Sequence, residues 1–509
     1  MIRRFIVREG NTGILYLTDA AGEEERYIPD YDLDKARELL LEFQELKDAE
    51  GKCLKDNYWV AGHNWYPATV SYLYWHLFFR YVKYKELVDK EFDGELKFEF
   101  ENRADFYALL DVLRRERLPE SWKMRLFRTL VWLNNCLIFR WHRMELMFFR
   151  FALEDFRSKE IMKELDTLGA KYIQVVPAGR IIQILAGMLK WIPYYYYGAV
   201  RSARVVHHEY DLSALDPHKR QLLERAIETI EWSISDYIKE HQIHLRRLRN
   251  MCIKTFYGFD DCNGYVFPLL YACQESGIKT VGHQHGAYVK RHAGYVMDGI
   301  EKSSYRWFDT LVVWGEYWKE QLLRISNVYQ SEMIVTGSNK ISWRYDLKDG
   351  SRRGRKSILI PYEFLTNTFK VGQYMAAFID LGYSVFFKPR SDERLEDQLE
   401  AYCLSQEHLS KVTIVTKLDG EFMKGIDIVA GTMTTLIFEL LPFNKIVWIL
   451  ETEYRHLEDL VESGLAHKVR YQDLGALDDH YFVPTKVDDE YLFCREPLRE
   501  TLERRVLHN

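Results

Sequence analysis

The stretch that most constrains the fold is residues 278–291, IKTVGHQHGAYVKR. It reads as a short apolar strand, with Thr280 and Val281 at its centre, that stops abruptly in a polar turn. A helical pattern precedes it, carried by Phe267, Leu269, Leu270, Ala272 and Cys273 and closed by Gly277. Helix, glycine stop, short apolar strand, then glycines and histidines is the grammar of an open α/β sheet. Ligands of such sheets bind outside the carboxyl ends of the strands. His283 and His285 fall at that edge, and Gly282 and Gly286 permit close backbone approach. Strand alternation would point the two histidines the same way, so His283 stays a candidate beside His285.

The same grammar repeats along the chain. Downstream, strands are expected at 310–314 and at 333–336, the second ending in Gly337 and Ser338, with a helix over 317–325 between them. Upstream, a hairpin is expected over 5–29, helices over 32–50 and 69–88, and strands at 58–61 (ending in Gly62, His63 and Asn64), 96–100, 172–176, 203–206 and 251–257. Residues 341–356 are polar and basic, and the apolar periodicity lapses there. A second alternating unit follows, with strands at 358–360, 384–387, 412–415, 426–430 and 446–449. A chain of 509 residues needs more than one core. The expected organisation is α/β with two Rossmann-like domains facing a cleft. Residues 1–340 form the acceptor-side domain with extra N-terminal elements, 341–356 the linker and 357–509 the nucleotide-donor domain. A last helix over 497–506 is placed to cross back to the first domain.

Several function classes are disfavoured. The net charge of −6 argues against a whole-surface nucleic-acid binder. Seven scattered cysteines without a C-x-x-C pair suit a reducing compartment, not a zinc ribbon or a disulfide framework. No signal-peptide pattern opens the sequence, and no window of about 20 residues is free of charge. A cytoplasmic protein is therefore expected. Walker, H-E-x-x-H and G-x-S-x-G motifs are absent. His207, His208 and Glu209 lack a third ligand at metal spacing, so no metal is expected. Residues 122–151 read as one long basic-aromatic helix with six Lys/Arg against one Glu, able to lie on an anionic membrane face. A core helix with solvated arginines is the alternative.

In the second unit the candidates are Lys388 and Arg390 after one strand, and Thr432, Thr434, Thr435 and Glu439 after another. A glycine and hydroxyls where a helix begins suit phosphate. Glu439 lies one turn beyond the threonines and could accept from a ribose diol. The cations would stabilise a diphosphate leaving group. Plain helix capping by the threonines is the alternative. In the first unit, Asp260 and Asp261 end the strand at 251–257, where they either contact an acceptor, orient a base or cap a helix. His63 ends another strand and is a weaker acceptor-side candidate.

The motifs VGHQHGAYVKR, FDTLVVWGEYWKEQL, IVTGSNK and GTMTTLIFELL together resemble glycosyltransferases of the two-Rossmann-domain (GT-B) architecture. The resemblance is to bacterial surface-polysaccharide enzymes and the related CDP-glycerol glycerophosphotransferases, and covers roughly residues 250–450. It implies His285 as catalytic base and Thr434, Thr435 and Glu439 as the residues that hold the donor nucleotide. From the residue reading, Asp261 is expected beside His285, Lys388, Arg390, Thr432 and Ser338 on the donor side with Thr434, Thr435 and Glu439, and His283, Asp260 and His63 on the acceptor side. Related enzymes often carry His-Pro where this chain has Lys388-Pro389-Arg390, so a cation remains but a titratable group does not.

The expected activity is metal-independent transfer of a sugar from a nucleotide-sugar to a surface glycan, capsule or O-antigen. The acceptor is expected to be lipid-linked at the inner face of the plasma membrane, with no cofactor beyond the nucleotide-sugar co-substrate. The rivals are a nucleotide-sugar 2-epimerase of the same architecture, a polyol-phosphate transferase and a noncatalytic subunit of a polysaccharide assembly complex.

Overall fold

The computed structural model describes residues 3–9, 14–101, 122–137, 143–150, 156–177, 181–258, 264–292, 294–338, 356–363, 366–390, 394–443, 445–485 and 487–507. Strands β1 (Arg3–Glu9), β2 (Leu15–Asp19) and β3 (Glu24–Tyr27) form an antiparallel meander. The two-residue strands β4 (Trp59–Val60) and β5 (His63–Asn64) form a small hairpin, and β6 (Leu96–Phe100) joins β1 in parallel. Helical turns between Pro67 and Phe92 cover this N-terminal module with buried Leu73, Tyr74, Leu77 and Phe78.

The first large sheet holds β7 (Leu146–Phe149), β8 (Tyr172–Pro177), β9 (Tyr194–Tyr197), β10 (Thr255–Gly258), β11 (Lys279–His283), β12 (Thr310–Val313) and β13 (Ile334–Thr336). Its order is β13-β12-β11-β10-β7-β8-β9, all parallel. The second holds β14 (Ser357–Pro361), β15 (Ser384–Lys388), β16 (Thr413–Ile414), β17 (Ile428–Gly431), β18 (Ile446–Leu450) and β19 (His467–Val469). Its order is β16-β15-β14-β17-β18-β19, again all parallel. In each sheet the strand order reverses beside the first strand, which is the Rossmann arrangement, and a crevice opens where it reverses. The switch points lie between β7 and β10 and between β14 and β17.

The strands that flank these points are continuous apolar runs, because both faces are covered. Phe148, Tyr257, Val281 and Val312 bury one face of the first sheet against Leu498, Leu502 and Val506. The last helical segment, from Leu498, thus packs on the first domain.

Two local expectations change. The stretch 122–151 is not one helix: Trp122–Leu137 is helical, and Leu146–Phe149 is the fully buried first strand of the sheet. LMFF is too short an apolar run for periodicity to separate strand from helix, and a place between two parallel neighbours decides it. The strand expected at 203–206 is not formed; Tyr194–Tyr197 make β9 instead. A 32-residue helix, Pro217–Leu248, runs between β9 and β10. The linker expected at 341–356 lies outside the described residues except for Lys356.

Candidate active site

The carboxyl edges of the two sheets meet. Trp318 lies in the helix Glu316–Ile325, which follows β12, and Phe438 in the helix Leu436–Leu440, which follows β17. Their rings stand 4.7 Å apart. In the loop after β11, the Lys290 N–H donates to Asp459 Oδ2 at 2.6 Å. Arg291 reaches Asp34 of the N-terminal module at 2.8 Å and Glu458 of the second domain at 3.4 Å. Burial raises the Asp34 carboxyl, but the bond and charge of Arg291 outweigh it and hold the group below its ordinary value. Beside this junction is a cavity of about 510 Å³ lined by Lys290, Tyr317, Arg324, Asp459, Glu462 and Tyr491.

At the second sheet's switch point β14 ends in Pro361, followed by Tyr362 and Glu363, and β17 ends in Gly431. Glu363 is fully enclosed, and four donors converge on its carboxylate. Oε1 accepts the N–H groups of Met433 and Thr434 at 2.7 Å each, and Oε2 accepts the Thr432 N–H and hydroxyl at 2.7 Å each. A Cβ on Gly431 would come within 2.7 Å of Oε1, so the glycine is needed for this approach. Burial pushes the carboxyl up, and the four hydrogen bonds pull against it.

The backbone amides expected to cradle a donor phosphate therefore hold the chain's own carboxylate, and Thr432 is committed to the same partner. Thr434 Oγ1 accepts the Leu436 N–H at 3.3 Å, the capping role weighed from the sequence. Thr434, Thr435 and Glu439 are half-buried at this edge, with Glu439 one helical turn beyond Thr435. Lys388 ends β15, next to β14, and is half-buried; burial lowers its ammonium. The Arg390 backbone is clamped by the buried Gln398, which accepts its N–H at 2.8 Å and donates to its carbonyl at 2.9 Å.

On the first sheet's edge, His285 follows β11 and is half-buried. The buried Gln284 pins that turn: its side-chain oxygen accepts the Trp314 N–H at 2.9 Å, and its backbone carbonyl accepts the Trp314 indole N–H at 2.8 Å. His283 is a core residue instead, 1% exposed, with Nδ1 2.6 Å from Tyr257 Oη. The strand ends at His283, so alternation does not carry over to His285. Gly282 makes room for Phe308, whose ring a Cβ would meet at 2.7 Å, and not for a ligand; beside Gly286 there is open space.

His63 is likewise not on the acceptor side. It is buried, stacked on Tyr271 at 4.4 Å, and paired with Glu275 at the end of the helix Phe267–Glu275. That helix precedes β11, so its last residue lies at the opposite, amino edge of the sheet. Ser338 is buried where β13 meets the C-terminal helix, its N–H held by Thr501 Oγ1 at 3.0 Å. That places it in packing between first-domain elements. Asp260 and Asp261 lie outside the described residues.

Glu363, Gln284 and Gln398 were not singled out from the sequence. An acid two residues past an apolar run was the available signal for Glu363; buried glutamines that hold a turn leave no pattern.

No protein-family model matches the chain, and no curated protein matches it in sequence. Among solved structures it is similar to MurG from Acinetobacter baumannii, at 13% identity over 65% of this chain and 86% of that one, with a TM-score of 0.40. It is also similar to UDP-GlcNAc 2-epimerase from Neisseria meningitidis bound to UDP-GlcNAc, at 13% identity over 72% and 100%, with a TM-score of 0.40. A third is a glycosyltransferase from Rickettsia africae, at 12% identity over 71% and 94%, with a TM-score of 0.38. The chain is an α/β protein of two Rossmann-like domains with facing strand edges, as in the GT-B architecture.

Proposed function

We propose that this protein transfers a sugar from a nucleotide-sugar to a bacterial surface glycan. The observation that carries the reading is the meeting of two Rossmann carboxyl edges, one bearing His285 and the other Thr434, Thr435 and Glu439. An acceptor hydroxyl attacks the anomeric carbon as the bond from that carbon to the donor phosphate oxygen breaks. His285 takes the hydroxyl proton, a role suited to imidazole near neutral pH. The nucleoside diphosphate leaves with its charge met by Lys388 and Arg390. Because Glu363 fills the amide cradle, the phosphates sit outward of it, at the hydroxyls of Thr434 and Thr435. Glu439 accepts from the ribose.

A lipid-linked acceptor is favoured by one surface. The helices Trp122–Leu137 and Ile181–Leu189 pack side by side and leave Trp122 69%, Ile182 79% and Leu189 81% exposed. Lys123, Arg125 and Lys190 are exposed on the same two segments. Apolar residues rimmed by cations suit an anionic membrane face. Among the described residues no helix is long and apolar enough to cross a membrane, so the contact proposed is peripheral, at the cytoplasmic face.

The test is a thermal-shift panel of UDP, GDP, CDP, CMP, ADP and dTDP on the wild type and on Glu439→Ala. A ligand at a hundredfold excess over its dissociation constant stabilises by ~2.7 kcal/mol. One nucleotide should raise the melting temperature of the wild type only. No shift with any of them would overturn the reading.

A further inference from the structure

The histidine and carboxylate cluster at the amino edge of the first sheet has no part in the transfer chemistry. His63 comes from β5, His241 from the helix Pro217–Leu248 and Glu275 from the end of the helix Phe267–Glu275. These residues are far apart in sequence, and no spacing motif joins them. In the fold, one ligand atom from each, His63 Nε2, His241 Nε2 and a Glu275 carboxylate oxygen, lie within 4.8 Å of one another. His63 and His241 are 4% and 2% exposed.

Both imidazoles place Nε2 beside the same oxygen, Glu275 Oε1. His63 Nε2 contacts it. His241 Nε2 lies 3.1 Å from it but out of hydrogen-bonding alignment, and that buried nitrogen has no hydrogen-bond partner. Three ligand atoms converging on one point, one of them unsatisfied, is the arrangement a cation resolves. Each nitrogen lone pair and the carboxylate then faces positive charge.

We propose that His63, His241 and Glu275 bind a zinc ion that cross-links the N-terminal hairpin to the two helices. Two imidazoles and one carboxylate are a zinc donor set, with nitrogen ligands at about 2.0–2.1 Å. Tetrahedral ligand atoms at that radius stand about 3.3 Å apart, within the 4.8 Å that bounds the three here. Trp65 and Tyr271 wall the inner side, with Trp65 5.5 Å from the His241 ring and Tyr271 stacked on His63. The Glu275 side chain is 30% exposed, which leaves the fourth position to water from that side.

The ion lies apart from the transfer site. Glu275 precedes β11 and His285 follows it, and a five-residue strand spans about 16 Å. Zinc here neither touches a donor diphosphate nor substitutes for His285.

The experiment uses the full chain, stripped with EDTA and titrated with CoCl₂ and ZnCl₂. Cobalt should bind at one per chain with the visible bands of a tetrahedral site, and equimolar zinc should displace it and raise the melting temperature. Glu275→Gln, at the open side and expected to keep the fold by circular dichroism, should weaken binding at least tenfold; His241→Gln should abolish the bands. Absence of stoichiometric binding by the wild type would overturn the proposal. So would cobalt bands that persist in folded Glu275→Gln and His241→Gln, because the metal would then sit elsewhere.

Discussion

Replacing Glu363 tests whether its carboxylate holds the β17 turn. Four of its contacts are 2.7 Å long, and their donors include the buried Thr432 N–H and hydroxyl. In Glu363→Ala, the half-buried Met433 and Thr434 amides can recover water. The Thr432 pair cannot, and losing bonds to a charged acceptor costs ~1.5–3 kcal/mol each. The expected destabilisation is therefore ~3–6 kcal/mol. Glu363→Gln keeps an acceptor at the Oε1 position, 3.0 Å from the Thr432 N–H and 2.7 Å from the other two amides. It loses the charge and sets the new Nε2 donor against the Thr432 N–H, while the Thr432 hydroxyl can turn to accept from it, so a smaller cost of ~1–3 kcal/mol is expected. Urea midpoints give the energies, and hydrogen exchange of a peptide spanning 428–440 localises them. If the two variants cost the same, or if both cost under ~0.5 kcal/mol, the carboxylate is not what holds the turn.

Three further outcomes are expected. Burial pushes the His456 imidazole down from 6.5 to about 3, with His292 and Arg291 adding to it. Below pH 6.5 the unfolded chain gains a proton that the folded chain refuses, so stability falls toward pH 3, by about 2 kcal/mol at pH 5; a His456→Phe chain with the same acid slope in urea midpoints would contradict this. His285→Ala should lower turnover by at least ~100-fold while leaving nucleotide affinity in calorimetry unchanged, and loss of nucleotide binding instead would assign the residue to the donor. Trp122→Ser combined with Leu189→Ser should reduce sedimentation with anionic vesicles without moving the melting temperature, both side chains being mostly exposed; unchanged sedimentation would remove the membrane face.

The alternation of apolar strands and helices was legible along the chain, and with it the α/β class. Parallel strands buried on both faces leave continuous runs such as those at 310–313 and 428–430, and turns between them must be glycine or polar. What failed locally failed where a short run has no period of its own: Leu146–Phe149 becomes a strand only because β8 and β10 lie on either side. The strand order, and so the switch points, is a tertiary fact; nothing in the spacing of 357–450 says that β17 returns to pair with β14. That return brings Glu363 to Thr432 across 69 residues. It likewise took the packing of a hairpin on two helices to gather His63, His241 and Glu275. Local sequence determines periodicity and caps, because those forces act within a turn or two of chain. Which polar side chains share a site depends on closure of long loops, and only the folded sheets decide it.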